Sequence, residues 1–157
     1  MEILTWLEGT AIADAIRTSI WMYPALESAH YIGLSFLIGG IMLIDLRLLG
    51  VAKSLPMGSM IGLLPWVWAG FLINAVSGTL IFIYGATNFG PNGAFQLKMA
   101  LIVLAGINAL LFTLIAARSG PEWIASGRVP GSVKTIATAS LVLWVSVATT
   151  GRWMAYI

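Results

Sequence analysis

A chain of 157 residues with one histidine, His30, and no cysteine carries few groups able to do chemistry. One imidazole excludes a multi-histidine metal site within the chain, and it excludes haem held between two of the chain's own histidines. The absence of thiols excludes disulfides, thiolate nucleophiles, iron–sulfur clusters and covalently attached c-type haem. Among the eight Lys and Arg residues, Lys98 and Arg152 fall inside apolar stretches rather than between them. An ionisable side chain within a membrane span is costly and marks a functional site by default. His30 falls near the start of the first apolar stretch, Lys98 near the start of the third and Arg152 near the end of the fourth. The three nitrogen groups therefore converge on one depth. Each has a structural alternative as well. Lys98 and Arg152 have stems long enough to reach headgroups. His30 can hydrogen-bond to a neighbouring helix. Glu27, one turn before His30, is either its carboxylate partner or a solvated first-turn acid.

The elements that position these groups follow from composition. The chain is 59% hydrophobic and 9% charged, against about 25% charged in a soluble domain. That excludes a water-soluble globule and makes lipid the solvent. Each span takes roughly 20 residues, so four fit. The sequence predicts an all-α fold, an integral membrane four-helix bundle with an N-terminal interfacial amphipathic helix, as a single domain over 1–157. Charge gaps set the spans at about 24–48, 64–86, 95–118 and 134–156. Pro24 and Pro65 open the first two. The Asn88-Phe89-Gly90-Pro91-Asn92-Gly93 cluster separates the second from the third, and Gly120-Pro121 is the stop signal of the third.

In the 1–23 segment Ile12, Ile16 and Ile20 share one helical face while Asp14, Arg17 and Thr18 lie elsewhere. This pattern suits a helix in the interface or across the bundle mouth. Gly9 separates it from a shorter turn at 2–8. Acidic residues ahead of the apolar stretch do not fit a cleavable signal peptide. Trp21, Tyr23, Trp66, Trp68, Trp153 and Tyr156 form interfacial belts. Five basic residues (Arg47, Lys53, Arg118, Arg128, Lys134) lie on one side and three (Arg17, Lys98, Arg152) on the other. The positive-inside rule puts the first group in the cytoplasm and both termini in the periplasm of a bacterial inner membrane. The basic residues form no stripe, so no nucleic acid is expected as a partner.

The second span has a small or polar face at Gly70, Asn74, Ser77, Gly78, Ile81 and Gly85. Such a face allows close helix approach, with Asn74 bonding across the bundle, or leaves room for a flat ligand. Gly33, Gly39 and Gly40 in the first span invite the same pair of readings. Asp45 and Arg47, two apart, do not face one another and pair with other helices or with headgroups.

Tyr23-Pro24, His30, Asp45-Leu46-Arg47-Leu48-Leu49-Gly50, Pro65-Trp66, Gly78-Thr79 and Phe95-Gln96-Leu97-Lys98 together resemble a family of uncharacterised four-helix bacterial inner-membrane proteins, over about 10–118. More remotely, a His in the first core helix, an Arg at its far end and a Lys opening the third resemble the HemJ-type protoporphyrinogen oxidases and the CopD copper-resistance proteins. The HemJ resemblance implies a b-type haem, with His30 as axial ligand of its iron and Lys98 as functional partner. Leu97 stands where that family commonly has a second His, and Asp45-Leu46 where it has Leu-Pro. Haem binding therefore carries over ahead of porphyrinogen oxidation. One imidazole suffices as a proximal ligand. Met99, Met154 or a neutral Lys98 would complete the iron, or Lys98 and Arg152 would pair with propionates.

The expected function is a membrane protein binding haem b near the periplasmic side, in electron transfer or haem-dependent oxidation. It would act as a homo-oligomer or within a larger membrane complex, with a redox partner. Two other readings compete: a non-enzymatic subunit or anchor, and a small-solute or metal transporter.

Overall fold

The computed structural model describes residues 1–157 apart from 52, 127, 155 and 157, and apart from the side chains at 61, 116–122, 124 and 125. Among the described residues eight helices and no strand follow one another. They are α1 (Glu2–Glu8), α2 (Ala11–Thr18), α3 (Met22–Leu49), α4 (Met57–Ile61), α5 (Leu64–Tyr84), α6 (Ala86–Phe89), α7 (Gly93–Ser126) and α8 (Gly131–Trp153). Four stretches are long and apolar enough to cross a membrane: Met22–Leu49, Met57–Tyr84, Gly93–Ile115 and Gly131–Trp153. The fold is an all-α membrane bundle.

Local signals explain where the helices start and stop. The 28 residues of α3 reach about 42 Å at 1.5 Å per residue, more than the hydrocarbon core of a bilayer. Gly50 ends α3 at φ +87°, a left-handed conformation that favours glycine. Its N–H donates to the Arg47 carbonyl and that of Val51 to Leu46, satisfying carbonyls the helix leaves open. Pro65 sits in the first turn of α5, where its missing N–H costs nothing. Asn92 Oδ1 accepts the Phe95 N–H at 3.0 Å and starts α7. α2 is capped by Thr10, whose hydroxyl oxygen accepts from Ala13 N–H at 3.4 Å, with Asp14 in the first turn and Arg17 in the last.

The spans pack in the order α5, α3, α8, α7, with α3 between α5 and α8. The α3–α5 contact is close because glycines form it. A Cβ on Gly70 would lie 2.6 Å from the Gly33 carbonyl oxygen and 2.7 Å from the Leu37 nitrogen, and one on Gly40 would lie 2.5 Å from Val67. Leu37, Ala105, Trp144 and Val147 make a central core, with Val67 of α5 packed against it. Leu48, Trp123, Val133 and Ala137 make a second core. It lies at the end where α3 joins α4 and α7 joins α8, called here the basic end; α1 and the last turn of α8 lie at the opposite, terminal end. Ile32, Leu72, Val76, Val103 and Leu110 point outward and exposed. A ring of apolar side chains around helices apolar on every face is what lipid covers.

The structure corrects the sequence reading in four places. Gly120-Pro121 does not stop the third span, because α7 runs on to Ser126. A proline inside a helix costs about 3 kcal/mol, but Trp123 follows it and is buried beside Leu48, Val133 and Ala137. Burying an indole stabilises by about 4–6 kcal/mol at ordinary transfer values, less about 1–3 kcal/mol for its Nε1, which is buried with no partner among the described residues, so packing offsets the break. Arg118, assigned to this end from sequence, lies outside the described side chains. In α2 the buried residues are Ala13 and Ile16 (2% exposed), while Ile12 and Ile20 are 51% and 80% exposed. The face turned to the bundle is narrower than the Ile12–Ile16–Ile20 stripe. α3 begins at Met22, ahead of Pro24. Finally, α5 ends at Tyr84 and α8 covers 131–153, because Gly85 separates off α6 and the turn after Trp153 leaves Met154 as the cap of α8.

Candidate functional site

His30 lies eight residues into α3, on the side that meets α5, and is half-buried. Its Nδ1 is 2.9 Å from Ser77 Oγ, and Ser77 Oγ is 2.6 Å from the Ile73 carbonyl oxygen. Two oxygens that close require a proton between them, and a carbonyl can only accept. The Ser77 hydroxyl therefore donates to Ile73 and must accept from His30, so Nδ1 carries the imidazole proton. Nε2 is left with its lone pair, and no hydrogen bond to it is found among the described residues. The network thus fixes the tautomer with Nε2 unprotonated. Glu27, a sequence-based candidate for this job, sits with Tyr23 instead. One turn from Glu27 along α3, the imidazole has turned toward α5, where Ser77 is already buried.

Space for the ring comes from Gly78, where a Cβ would lie 3.2 Å from His30 Cε1. Lys98 lies against Gly151 of α8, where a Cβ would meet its Nζ at 3.5 Å, an ordinary packing distance. Lys98 lies close enough to His30 for its charge to act on the imidazole. All four spans therefore contribute to one layer: His30 from α3, Gly78 from α5, Lys98 from α7 and Gly151 from α8. One turn nearer the terminal end, Phe82 and Phe95 stack with ring centroids 5.1 Å apart and bridge α5 to α7. One turn deeper, Asn74 packs against Gly33 and donates to the Gly70 carbonyl at 3.0 Å. Its Oδ1 is buried and has no partner among the described residues, which costs about 1–3 kcal/mol of desolvation unless a donor reaches it.

The terminal end is covered by α1 and α2, which pack on α5 and on α6 or α3. Glu8 Oε1 pins them by accepting from both the N–H and the hydroxyl of Thr87, each at 2.8 Å. The Thr87 backbone bond, then its hydroxyl bond, hold the Glu8 carboxyl below the ordinary glutamate range, with the Arg17 charge acting in the same direction. A carboxylate with a depressed folded pKa contributes stability above its unfolded value, about 4.3, and loses it as pH falls through the lower folded value. Amide protection factors in 2–9, taken relative to the intrinsic exchange rate at each pH, should therefore fall on acidification through that window. Glu8→Ala should show the low protection already at neutral pH; equal protection in wild type and variant at pH 7 would remove the role of this clasp.

The other residues singled out from sequence are placed as follows. Arg152 is exposed; its Nη2 donates to the Tyr156 hydroxyl at 2.7 Å and its guanidinium lies 5.0 Å from the centre of that ring. It is held at the surface, beside the Gly151 that Lys98 touches. Met99 follows Lys98 onto the outward face and is 45% exposed, and Met154 is half-buried at the cap of α8. At the basic end Asp45, 6% exposed, pairs with Ser140 of α8 while its Oδ2 has no partner among the described residues. Arg47 Nε donates to the Leu55 carbonyl at 2.6 Å. Ser77 is the partner of His30 that sequence reasoning missed. It reads as one more small residue on the α5 face, and only its place opposite His30 gives it a role.

Among the described residues no three His, Asp or Glu converge on one point. The layer therefore offers a metal one nitrogen, not a chelating cage. His30 with its free Nε2 and the cation of Lys98 suit a metal complex that brings its own equatorial ligands and carries anionic groups. Met99, turned outward, does not fit as a further ligand to the same centre.

No curated protein and no solved structure matches the chain. The profile of DUF6644, a family of unknown function, matches residues 3–157, and the chain belongs to that family.

Proposed function

We propose that the chain is a small membrane haem protein, holding a b-type haem through His30 near the terminal end and serving electron transfer or haem-dependent oxidation. The observation that carries this reading is the His30–Ser77–Ile73 network, which presents Nε2 unprotonated inside the bundle. A lone imidazole binds a metal firmly only where the remaining ligands come with it, and a porphyrin supplies four. Haem, when bound, supplies a one-electron couple. The chain's own residues do the rest: Nε2 ligates, Ser77 sets the tautomer and ring direction, and Lys98 meets a carboxylate such as a propionate. Gly78 leaves room for the imidazole ring, and the Phe82–Phe95 stack lies on the terminal side of the layer. The likeness of His30 and Lys98 to the HemJ pair supports the same reading. By the excess of Lys and Arg at the basic end, that end faces the bacterial cytoplasm and the haem lies on the periplasmic side, within reach of a redox partner there.

Ser77→Ala tests the network directly. It removes the acceptor of Nδ1–H, and loss of such an orienting partner typically costs 10–100-fold in metal affinity. Haemin titrated into the detergent-purified chain and followed by absorbance should bind about that much more weakly to Ser77→Ala, while the helical circular dichroism stays unchanged. Equal affinities would show that the Ser77 bond only packs α3 on α5.

A further inference from the structure

At the basic end, opposite the His30 layer, Arg47, Lys53, Arg128 and Lys134 surround a cavity of about 460 Å³, together with Leu48, Gly50 and Val129. Two of the cations come from the end of α3 and its following linker, two from the α7–α8 linker and the first turn of α8. The segments are far apart in sequence. The positive-inside rule accounts for basic residues in these loops, but it does not require four of them to face one cavity, where they repel each other.

The cavity is built rather than fortuitous. The Nε of Arg47 is tied to the Leu55 carbonyl at 2.6 Å, which holds the guanidinium in place and leaves its terminal N–H groups for another acceptor. The Lys53 stem lies over Gly50, where a Cβ would come within 3.1 Å of its Cε. α8 starts at the cavity wall from Pro130, with no side-chain cap on its first turn. Its open N–H groups add the positive end of a 23-residue helix to the four cations. Among the described residues none of the four makes an ion pair with a carboxylate. Arginine guanidinium with lysine ammonium at a helix start is the donor set that phosphate oxygens take, Arg in two-pronged fashion and Lys as a point charge.

We infer that this cavity is a binding site for a phosphate-bearing anion at the level of the bilayer headgroups. Basic pockets between membrane helices take phosphorylated lipid headgroups, and a free phosphate or diphosphate offers the same oxygens from solution. Either source neutralises the repelling cations, and it braces the two inter-helix linkers against each other.

The experiment uses the full chain in two settings. In nanodiscs of phosphatidylcholine with or without cardiolipin, mass spectrometry of the intact complex counts retained lipid. In detergent free of anionic lipid, thermal unfolding is followed on adding millimolar inorganic phosphate or pyrophosphate. The comparison proteins are the double variant Arg128→Gln/Lys134→Gln, which leaves the Arg47 brace intact, and Arg17→Gln, a charge removed at the terminal end. Retained cardiolipin in wild type and Arg17→Gln, reduced at least tenfold in the double variant, supports the site with a lipid as its source. A phosphate- or pyrophosphate-induced rise in melting temperature that the double variant lacks supports it with a soluble source. Retention and melting shifts that are the same in the double variant as in wild type, or absent from both, overturn it.

Discussion

Gly70→Ala is expected to lower the stability of the bundle by about 1–3 kcal/mol, the usual cost of forcing a methyl into a filled core. The added carbon would sit 2.6 Å from the Gly33 carbonyl oxygen, 2.7 Å from the Leu37 nitrogen and 2.9 Å from Phe36 Cβ. Two of these are backbone atoms of the facing helix, which cannot swing aside as a side chain can. The helices must separate, and every contact along α3 and α5 loosens with them. Gly39→Ala provides the comparison: a Cβ there meets nothing within 4 Å, and alanine is the better helix former by up to about 1 kcal/mol. Thermal unfolding in detergent should show Gly70→Ala melting well below wild type and Gly39→Ala at or slightly above it. Equal melting of the two variants would mean that glycine at 70 is not what sets the α3–α5 distance. Because His30 and Ser77 lie on the same two helices, Gly70→Ala should also weaken haem binding without touching the imidazole.

This pair of glycines shows how far the sequence can be read. Both belong to small-residue patterns that predict close helix approach, but the spacing alone gives Gly33, Gly39 and Gly40 equal weight. Only the rotation of α3 about its axis decides that Gly33 and Gly40 face α5 and that Gly39 faces outward. That rotation is set by many weak side-chain contacts, which no local pattern encodes. The same reason hid Ser77 as the partner of His30 and made Glu27 look suitable, since the register between two packed helices is a tertiary quantity. What composition and charge spacing could reveal, they did: four long apolar helices and a separate N-terminal amphipathic piece. The stop signal at Gly120-Pro121 failed where a local rule met a tertiary one, the burial of Trp123.

His30→Ala is expected to abolish haem binding, because the layer has no second nitrogen in the role of Nε2. Arg152 is tied to Tyr156 and a lysine ammonium cannot ligate. The substitution removes one half-buried ring beside Gly78, so the chain should still fold. A helical circular dichroism spectrum matching wild type, together with an absent Soret band, is the expected combination. Lys98→Gln should behave differently. It keeps the imidazole and so the Soret band, but loses a cation at the carboxylate end, and binding should weaken by about tenfold, as for a charge-assisted bond worth 1.5–3 kcal/mol offset in part by water. Loss of haem on Lys98→Gln with retention on His30→Ala would reverse the roles given to the two residues.

The most direct measurement is the absorption spectrum of the wild-type chain, purified in mild detergent from bacteria supplied with a haem precursor. A Soret band whose intensity corresponds to haem bound stoichiometrically with the chain, and which disappears in His30→Ala, is the predicted result. A folded, colourless wild-type protein that also fails to take up added haemin would contradict the account, and would leave His30 and Ser77 as a hydrogen bond that joins two helices.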